Sequence, residues 1–178
     1  RSAVASYRGV ARRFQVVSKV AGITIVDDYA HHPSAVAATI GAARERYTGR
    51  RLCAVLEPHT YSRVAALADD FARALRSADA VVVTPVYGAR EDPVAGAGAS
   101  RIAAGLEGAV VTETLDQAVE ICADRAVSGD VVLFLGAGEA TRASRLCARR
   151  IARRCLREVV HEAARLGVGG TATADAGL

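Results

Sequence analysis

The sequence contains few aromatic residues, no methionine, no tryptophan and a single lysine, Lys19. Phe, Trp and Tyr together make up 4% of its 178 residues, whereas arginine is abundant. Proteins that bind single-stranded nucleic acid combine a basic groove with aromatic side chains on which the bases stack. The shortage of aromatic residues therefore disfavours a function in nucleic-acid binding.

Signals for disulfides, secretion and membrane insertion are absent as well. The four cysteines show no C-x-x-C spacing and lie in apolar contexts, which is typical of buried thiols in a reducing compartment. No apolar run reaches the roughly 18 residues that a membrane-spanning helix needs, and the basic N-terminus lacks a signal-peptide core. We therefore expect a soluble, cytoplasmic protein with no membrane insertion.

Two catalytic motifs are missing. The sequence has no G-x-S-x-G segment of the kind that presents a serine nucleophile, and no G-x-x-x-x-G-K-[ST] loop to hold nucleotide phosphates. If the reaction uses ATP, another domain must supply the phosphate-binding loop. The chain also starts without Met, so we expect it to be an excised domain or a processed piece of a longer protein.

Four apolar runs rich in Val, Ile and Leu predict buried strands, at residues 23–28, 51–56, 80–84 and 130–138. Their apolarity is continuous rather than alternating, which is typical of parallel strands covered on both faces. Between the runs, apolar residues recur at helical intervals, at positions 36, 40, 43 and 47, at 67, 71 and 75, and at 115, 119 and 122. The pattern predicts an α/β fold with an open, mostly parallel sheet and helices on both faces.

Other segments complete the predicted organisation. Residues 13–28 are predicted to form a hairpin that turns near Gly22, residues 109–112 a weaker strand, and residues 85–100 a long functional or mobile loop. Residues 1–166 are predicted to form one domain, and the small and polar residues 167–178 a flexible tail. Seven arginines between 142 and 157 fall on one predicted helix, and we interpret them as its solvated face rather than as a nucleic-acid patch.

Chemically useful side chains follow the predicted strands, and ligands of open α/β sheets bind outside the carboxyl ends of the strands. After the first run, Asp28, Tyr29 and His31 either contact a ligand or form capping hydrogen bonds at the strand end. The sequence alone favours neither interpretation. Pro33 suits the first position of the next helix, which places the histidines at its positive end.

The second loop carries "EPHTYSR" at residues 57–63. We expect Ser62 to cap a helix that begins near Val64, with His59 and Arg63 around its N-terminus. The Arg63 guanidinium suits a carboxylate or phosphate, and the alternative is a surface ion pair with Asp69 or Asp70.

Two further functions remain open on the residues alone. Asp28, His31 and His59 could bind a divalent metal in a hydrolase, although their spacing is no recognised metal signature. A non-catalytic binding module is the other possibility.

Five segments together resemble the C-terminal domain of the Mur ligases, and the resemblance covers about residues 1–165. The segments are "GVARRFQ" (9–15), "VDDYAHHPSAV" (26–36), "EPHTYSR" (57–63), "VYGAREDPVAG" (86–96) and "GAGEATR" (136–142). The resemblance is closest to the branch that joins L-alanine to UDP-N-acetylmuramate. It implies a Rossmann-like fold, and two further domains outside this chain that bind the UDP-sugar and ATP with magnesium.

The resemblance also implies roles for single residues. Arg13 and Asp28 match positions on the nucleotide side, and the positions that match the side of the amino acid and the muramoyl group are Tyr29, His31, His59 and Arg63. No metal ligand is implied in this chain. Two positions depart from the family pattern, because Thr60 stands where some relatives have arginine and Glu57 stands where glutamine is commoner.

The implied reaction is an ATP-dependent amide ligation in peptidoglycan synthesis. ATP phosphorylates the muramoyl carboxylate, and the amine of L-alanine then attacks the acyl phosphate. The second motif favours this enzyme over its relative, the recycling ligase that attaches a preformed tripeptide. We expect this fragment alone to be inactive, since it lacks the phosphate-binding loop.

Overall fold

The computed structural model of the chain describes residues 10–166. The predicted tail at 167–178, and residues 1–9 of the predicted domain, lie outside the described residues. One six-stranded sheet runs through this part of the chain, and its strands are β1 Gln15–Val20, β2 Ile23–Asp28, β3 Leu52–Leu56, β4 Ala80–Val83, β5 Val110–Val111 and β6 Val131–Leu135. Its order is β1-β2-β6-β3-β4-β5.

All strands except β1 run parallel, and β1 pairs antiparallel with β2 through the predicted hairpin. Ala21 and Gly22 form the turn, both with positive φ (50° and 77°), as a two-residue type I′ turn requires. At Gly22 a side chain is also excluded by space, because a Cβ there would lie 2.2 Å from the Ser128 hydroxyl oxygen. The hairpin gives the parallel sheet its antiparallel edge.

Five helices connect and cover the strands in residues 10–166, and they are α1 Pro33–Arg46, α2 Tyr61–Leu75, α3 Ala99–Ala103, α4 Leu115–Arg125 and α5 Ala140–Arg165. The first three pack on one sheet face and the last two on the other, each against a separate apolar core. The predicted α/β class, the mostly parallel sheet and the helices on both faces are confirmed. The predicted loop at 85–100 runs to the start of α3.

The helix starts test two local predictions. Pro33 is the first residue of α1, as predicted, and the N-cap is His32. The prediction for Ser62 is wrong: α2 begins at Tyr61, with Thr60 as its N-cap residue. Ser62 lies within the first turn of the helix, where its backbone N–H and hydroxyl both donate to the Glu91 carboxylate.

Glu91 reaches Ser62 because the chain that follows β4 lies beside the chain that follows β3. A parallel bridge between His59 and Tyr87 holds these two loops together. Among residues 10–166, no helix combines the length and the apolarity that crossing a bilayer requires.

Candidate functional site

The candidate site lies at the sheet edge where the parallel strands end. The loops that follow β2, β3, β4 and β6 all start from this edge, since the four strands run in one direction and are neighbours in the sheet. Backbone hydrogen bonds tie the loops together, from Glu57 N–H to the Leu135 carbonyl and from Thr60 N–H to the Tyr87 carbonyl. The strand order thus brings together residues that are distant in sequence.

Four rings form a continuous row across this edge. The Tyr29 and His31 ring centroids are 5.0 Å apart, those of His31 and His59 5.7 Å, and those of His59 and Tyr87 5.6 Å. Tyr29 and Tyr87 are 38% and 42% exposed, so the two ends of the row face solvent. We call Tyr29, His31, His59 and Tyr87 the ring row, which offers a bound molecule both apolar faces and polar edges.

The structure places Arg12 at the Tyr29 end of the ring row. Its guanidinium carbon lies 4.7 Å from the Tyr29 ring centroid, a cation–π contact, and its Nη2 donates to the Gly136 carbonyl at 2.7 Å. Its Nε lies 3.6 Å from an oxygen of Asp27, which is fully buried. Arg12 therefore connects the hairpin, the end of β2 and the turn after β6.

Asp27 adds a hydrogen bond to this connection. One carboxylate oxygen accepts the Thr141 hydroxyl at 2.8 Å, which joins β2 to the first turn of α5. Burial raises the pKa of Asp27, while the Thr141 hydrogen bond and the Arg12 charge act in the opposite direction. Within residues 10–166 its second oxygen, Oδ1, has no hydrogen-bond partner, and neither has the buried Nε of Arg12.

Arg63 and His59 form a pair at the middle of the ring row. Arg63 Nη1 lies 3.1 Å from the His59 Nδ1 and 3.0 Å from its carbonyl oxygen. A guanidinium can only donate, so His59 Nδ1 accepts and the proton of the neutral ring sits on Nε2. The pKa of His59 is lowered, chiefly by burial and then by the charges of Arg63 and His31, whereas Glu91 raises it.

His31 is held by a contact of its own. Its Nδ1 lies 2.8 Å from the Tyr29 carbonyl, which acts as the acceptor, so Nδ1 carries a proton and Nε2 faces away from the backbone. Arg63 does not pair with Asp69 or Asp70, because Asp69 binds Arg101 and Asp70 binds Arg73. The predicted alternative for Arg63 is thus wrong, and its contact is with the site.

Asp28 serves as a backbone cap at the end of β2. One oxygen accepts the Phe14 N–H at 2.7 Å and the other accepts the Ala30 N–H at 2.9 Å, and the residue is 6% exposed. Of the two readings that the sequence leaves open for Asp28, the structure displays the capping one. Its match to a position near a nucleotide ribose stays a prediction.

The predicted nucleotide-side arginine, Arg13, is exposed. In the part of the chain that the structure describes, it makes no hydrogen bond and no ion pair, whereas its neighbour Arg12 is built into the site. Arg12 has a φ of 60°, in the left-handed region, so the backbone turns at this pair of arginines. The paired arginines therefore divide into one that shapes the site and one that is available to a ligand.

Glu57 fills the glycine turn that follows β6. Its carboxylate accepts the backbone N–H groups of Gly138, Glu139 and Ala140 at 3.0–3.1 Å, and the residue is 5% exposed. These amides form the positive N-terminus of α5, which would otherwise suit an anion. Because Glu57 occupies them, the glycine turn is a structural junction and holds no phosphate.

The close approach at this junction explains one glycine of the "GAG" segment. A Cβ at Gly138 would lie 2.7 Å from the Tyr87 ring and 3.0 Å from the Glu57 carboxylate. Any larger residue would push Tyr87 out of the ring row. Gly138 thus links the junction to the candidate site.

Sequence reasoning missed Arg12, Tyr87 and the role of Glu57. Tyr87 lies within the segment at 86–96 that resembles the family. The sequence does not show that it contacts His59, since only the bridge between the two loops brings Tyr87 into the ring row. Glu57 departs from the family pattern at its position, and a carboxylate directly after an apolar strand is the signal that indicates its role. For Arg12 the sequence holds no signal, because Arg12 and Arg13 are adjacent and identical.

The residues Asp28, His31 and His59 do not assemble as a metal centre. Both Asp28 oxygens are hydrogen-bonded to backbone amides, and within residues 10–166 no group of three or more His, Cys, Asp or Glu side chains could hold a metal ion. The arrangement gives the metal-dependent hydrolase hypothesis no support.

Comparisons with known proteins show the family to which the chain is similar. The sequence pattern of the family described as "Mur ligase, glutamate ligase domain" matches residues 12–138. The UDP-N-acetylmuramate--L-alanine ligase of Chloroflexus aggregans is 43% identical over 158 residues, which are 85% of this chain and 33% of that protein. The chain therefore spans about a third of the length of the curated relatives that it matches.

Two solved structures share the fold. The UDP-N-acetylmuramate-alanine ligase of Thermotoga maritima superposes with a TM-score of 0.69 at 28% identity, over 88% of this chain and 33% of that one. A second enzyme of Thermotoga maritima, a MurF ligase solved in complex with ADP, superposes with a TM-score of 0.63 at 24% identity, over 84% of this chain and 33% of that one. At that identity the second likeness concerns the fold alone.

Proposed function

The chain belongs to the Mur ligase family, and on this basis we propose that it is the C-terminal domain of an ATP-dependent ligase that joins L-alanine to UDP-N-acetylmuramate. The proposal takes its substrates from the relatives at 43% identity, which are UDP-N-acetylmuramate--L-alanine ligases. It assigns to this chain the side of the reaction where the amino acid arrives. The UDP-sugar and the phosphates of ATP belong to other domains of the longer protein.

The observation that carries the proposal is the half-buried Arg63 beside the ring row. The Nη1 of Arg63 donates to His59, and among residues 10–166 no hydrogen bond engages its Nη2 or Nε. Two parallel N–H groups of a guanidinium match the two oxygens of a carboxylate. Arg63 can thus hold the carboxylate of L-alanine, which orients the amine toward the acyl carbon.

The neutral form of His59 suits this role. Its lowered pKa favours the uncharged ring, whose Nδ1 can accept from Arg63 Nη1 and so hold the guanidinium in place. Tyr29 and His31 continue the same surface and would contact the muramoyl side. In the closed enzyme these residues position the amine and exclude water from the acyl phosphate, which water would otherwise hydrolyse.

The phosphates of ATP do not fit this chain. Glu57 already occupies the amides of the glycine turn, and the sequence has no G-x-x-x-x-G-K-[ST] loop. Magnesium would likewise be held elsewhere, because the Asp28 oxygens are taken by backbone amides. What remains for this domain is contact with the nucleoside side, for which Arg13 and Asp28 are the proposed residues.

The proposal is tested in a protein that carries this chain together with its ATP-binding domain. Arg63→Ala should raise the KM for L-alanine about 10- to 100-fold, since a hydrogen-bonded charge contributes about 1.5–3 kcal/mol. The KM for ATP should stay within about twofold. Arg73→Ala is the matched control, because Arg73 lies on the same helix and pairs with Asp70 at the surface.

Equal changes in both KM values, or no change, would contradict the assignment of Arg63 to the amino acid. The same assay should show no alanine-dependent ADP release from the 178-residue chain alone. A preference for a preformed tripeptide over L-alanine would move the protein to the recycling branch of the family.

A further inference from the structure

A cavity lies at the opposite edge of the sheet from the ring row. Its volume is about 130 Å³, and it opens between α4 and the amino-terminal ends of β3, β4, β5 and β6. Arg51, Cys53 and Val110 line it from the sheet side, and Cys122 and Arg125 line it from α4. With strands of five residues that each rise about 3.3 Å, the two edges are on the order of 15 Å apart.

The packing of the helices explains why this cavity exists. Only α4 and α5 cover this face, and α5 packs against β1, β2 and β6. The remaining strands depend on α4 alone, and small residues at Cys53, Ala80 and Gly108 leave space beneath it. The walls are mainly apolar, while the two arginines and Asp130 give the cavity a polar side.

Two cysteines meet inside this cavity. Cys53 on β3 is partly exposed and Cys122 on α4 is buried. A hydrogen bond from the Cys122 thiol lowers the pKa of Cys53, and burial opposes this effect. Among the charged groups that face Cys53, Arg51 and Arg125 lower its pKa further, while Asp130 raises it. Cys53 is therefore the thiol of this pair that solvent can reach.

We propose that this cavity is a covalent ligand site in which Cys53 captures small electrophiles that carry a short apolar group. With a maleimide, the Cys53 thiolate attacks one carbon of the C=C bond and forms a C–S bond. The neighbouring carbon takes a proton from water, and no group leaves. Apolar walls such as Val82 and Val110 receive the substituent.

The other cysteines provide internal comparisons. The Cys147 thiol is fully buried, and burial raises its pKa to about 12. The pKa of Cys122 is raised as well, first by its hydrogen bond to Cys53. Cys155 on α5 is partly exposed and does not line the cavity. Cys155 lies instead in a wider cleft of about 480 Å³ beside Ile23 and Asp124, and it therefore reports the reactivity of a partly exposed thiol outside the small cavity.

The experiment measures adduct formation at each cysteine of the 178-residue chain by peptide mass spectrometry, with N-ethylmaleimide at pH 7. Cys53 should react about tenfold faster than Cys155, since the apolar walls of the cavity bind the N-ethyl group and hold the maleimide beside the thiol, an advantage on the order of tenfold for two buried carbons. A bulky N-pyrenylmaleimide should reverse the preference, because the cavity is too small for it. Cys155 should distinguish little between the two reagents.

Two variants test the role of Cys122. Cys122→Ala removes the hydrogen-bond donor and should slow Cys53 severalfold, with the midpoint of its pH–rate profile shifted upward. Cys122→Ser keeps a donor and should lie closer to the parent chain. Circular dichroism verifies folding, and if a variant does not fold, the two reagents on the parent chain decide.

The proposal is overturned if Cys155 reacts as fast as Cys53, if the bulky reagent labels Cys53 equally well, or if a folded Cys122→Ala protein leaves the Cys53 rate unchanged.

Discussion

At the scale of single residues, the candidate site depends on which atom of each side chain is already engaged. His59 Nδ1 is committed to Arg63, and His31 Nδ1 to the Tyr29 carbonyl, so both rings direct Nε2 outward. Asp28 is committed to two backbone amides. A ligand thus meets imidazole edges and the free side of Arg63, rather than a carboxylate.

The His59–Arg63 pair gives a prediction about titration. Arg63→Met should raise the pKa of His59 toward its usual value of 6.5, because the repelling charge and the hydrogen bond to Nδ1 are both removed. Histidine NMR signals followed from pH 4 to 8 measure this shift. The His161 signals should follow the same curve in both proteins, as His161 lies far along α5 and is exposed.

The sign of the linked stability follows from the lowered pKa. The folded state binds fewer protons at His59 than the unfolded state, so stability from this residue is present above pH 6.5 and is lost as the pH falls through the folded pKa. In Arg63→Met that loss should shrink. An unchanged His59 titration in the variant would show that Arg63 does not perturb the ring.

The choice between Arg12 and Arg13 marks the limit of sequence reasoning at this scale. The resemblance pointed to the second arginine, whereas the structure builds the first into the site. Two adjacent identical residues differ only in the direction that the backbone gives them. The backbone turns at this pair, with a φ of 60° at Arg12, and two identical side chains give no sign of which one enters the site.

At the scale of elements, the start of α5 is the central junction. Its first amides bind Glu57 from the end of β3, and Thr141 in its first turn binds Asp27 from β2. One helix start therefore joins two strands that are not neighbours in the sheet. The loops that carry the ring row are fixed relative to each other through this junction.

Glu57→Ala should lower the free energy of unfolding by about 2–4 kcal/mol, because one buried and two partly buried amides lose their acceptor. Glu57→Gln retains one acceptor oxygen and should cost about 1 kcal/mol, the usual value of a helix cap. Urea unfolding followed by circular dichroism measures both. If Glu57→Ala proves as stable as the parent chain, the carboxylate is not what holds this junction.

The elements themselves were largely accessible from the sequence. Continuous apolar runs placed β2, β3, β4 and β6 to within a residue or two at the start, because a strand buried on both faces has no room for polar residues. The start of α2 was misplaced by three residues. Ser62 has the chemistry of a cap, and only the distant Glu91 engages it otherwise.

At the scale of the whole molecule, the arginine-rich helix is partly structural. Arg142 and Arg150 pair with Asp116 and Glu120 of α4, and Arg154 donates to backbone carbonyls at the end of α4. The seven arginines are therefore not one free surface. Those that bind α4 stabilise the packing of the two helices, and their neighbours, such as Arg153, face solvent.

Arg154→Ala should cost about 1–3 kcal/mol of stability, since the carbonyls of Ala123, Asp124 and Ala126 lose a charged donor. Arg153→Ala is the matched control one residue earlier, and it should change stability by less than about 0.5 kcal/mol. Thermal and urea unfolding compare the two. Equal losses in both variants would assign the effect to net charge rather than to the contact with α4.

The sequence by itself determined the class of fold, the order of the strands along the chain and the segments that carry chemistry. It could do so because burial and helical or strand periodicity are local properties that each segment records. Only the tertiary structure decided which residues meet: Tyr87 with His59, Glu57 with the start of α5, and Cys53 with Cys122. Those meetings follow from the sheet order β1-β2-β6-β3-β4-β5, in which the last strand along the chain lies between β2 and β3. No local pattern encodes that insertion, because it arises from packing all the elements at once.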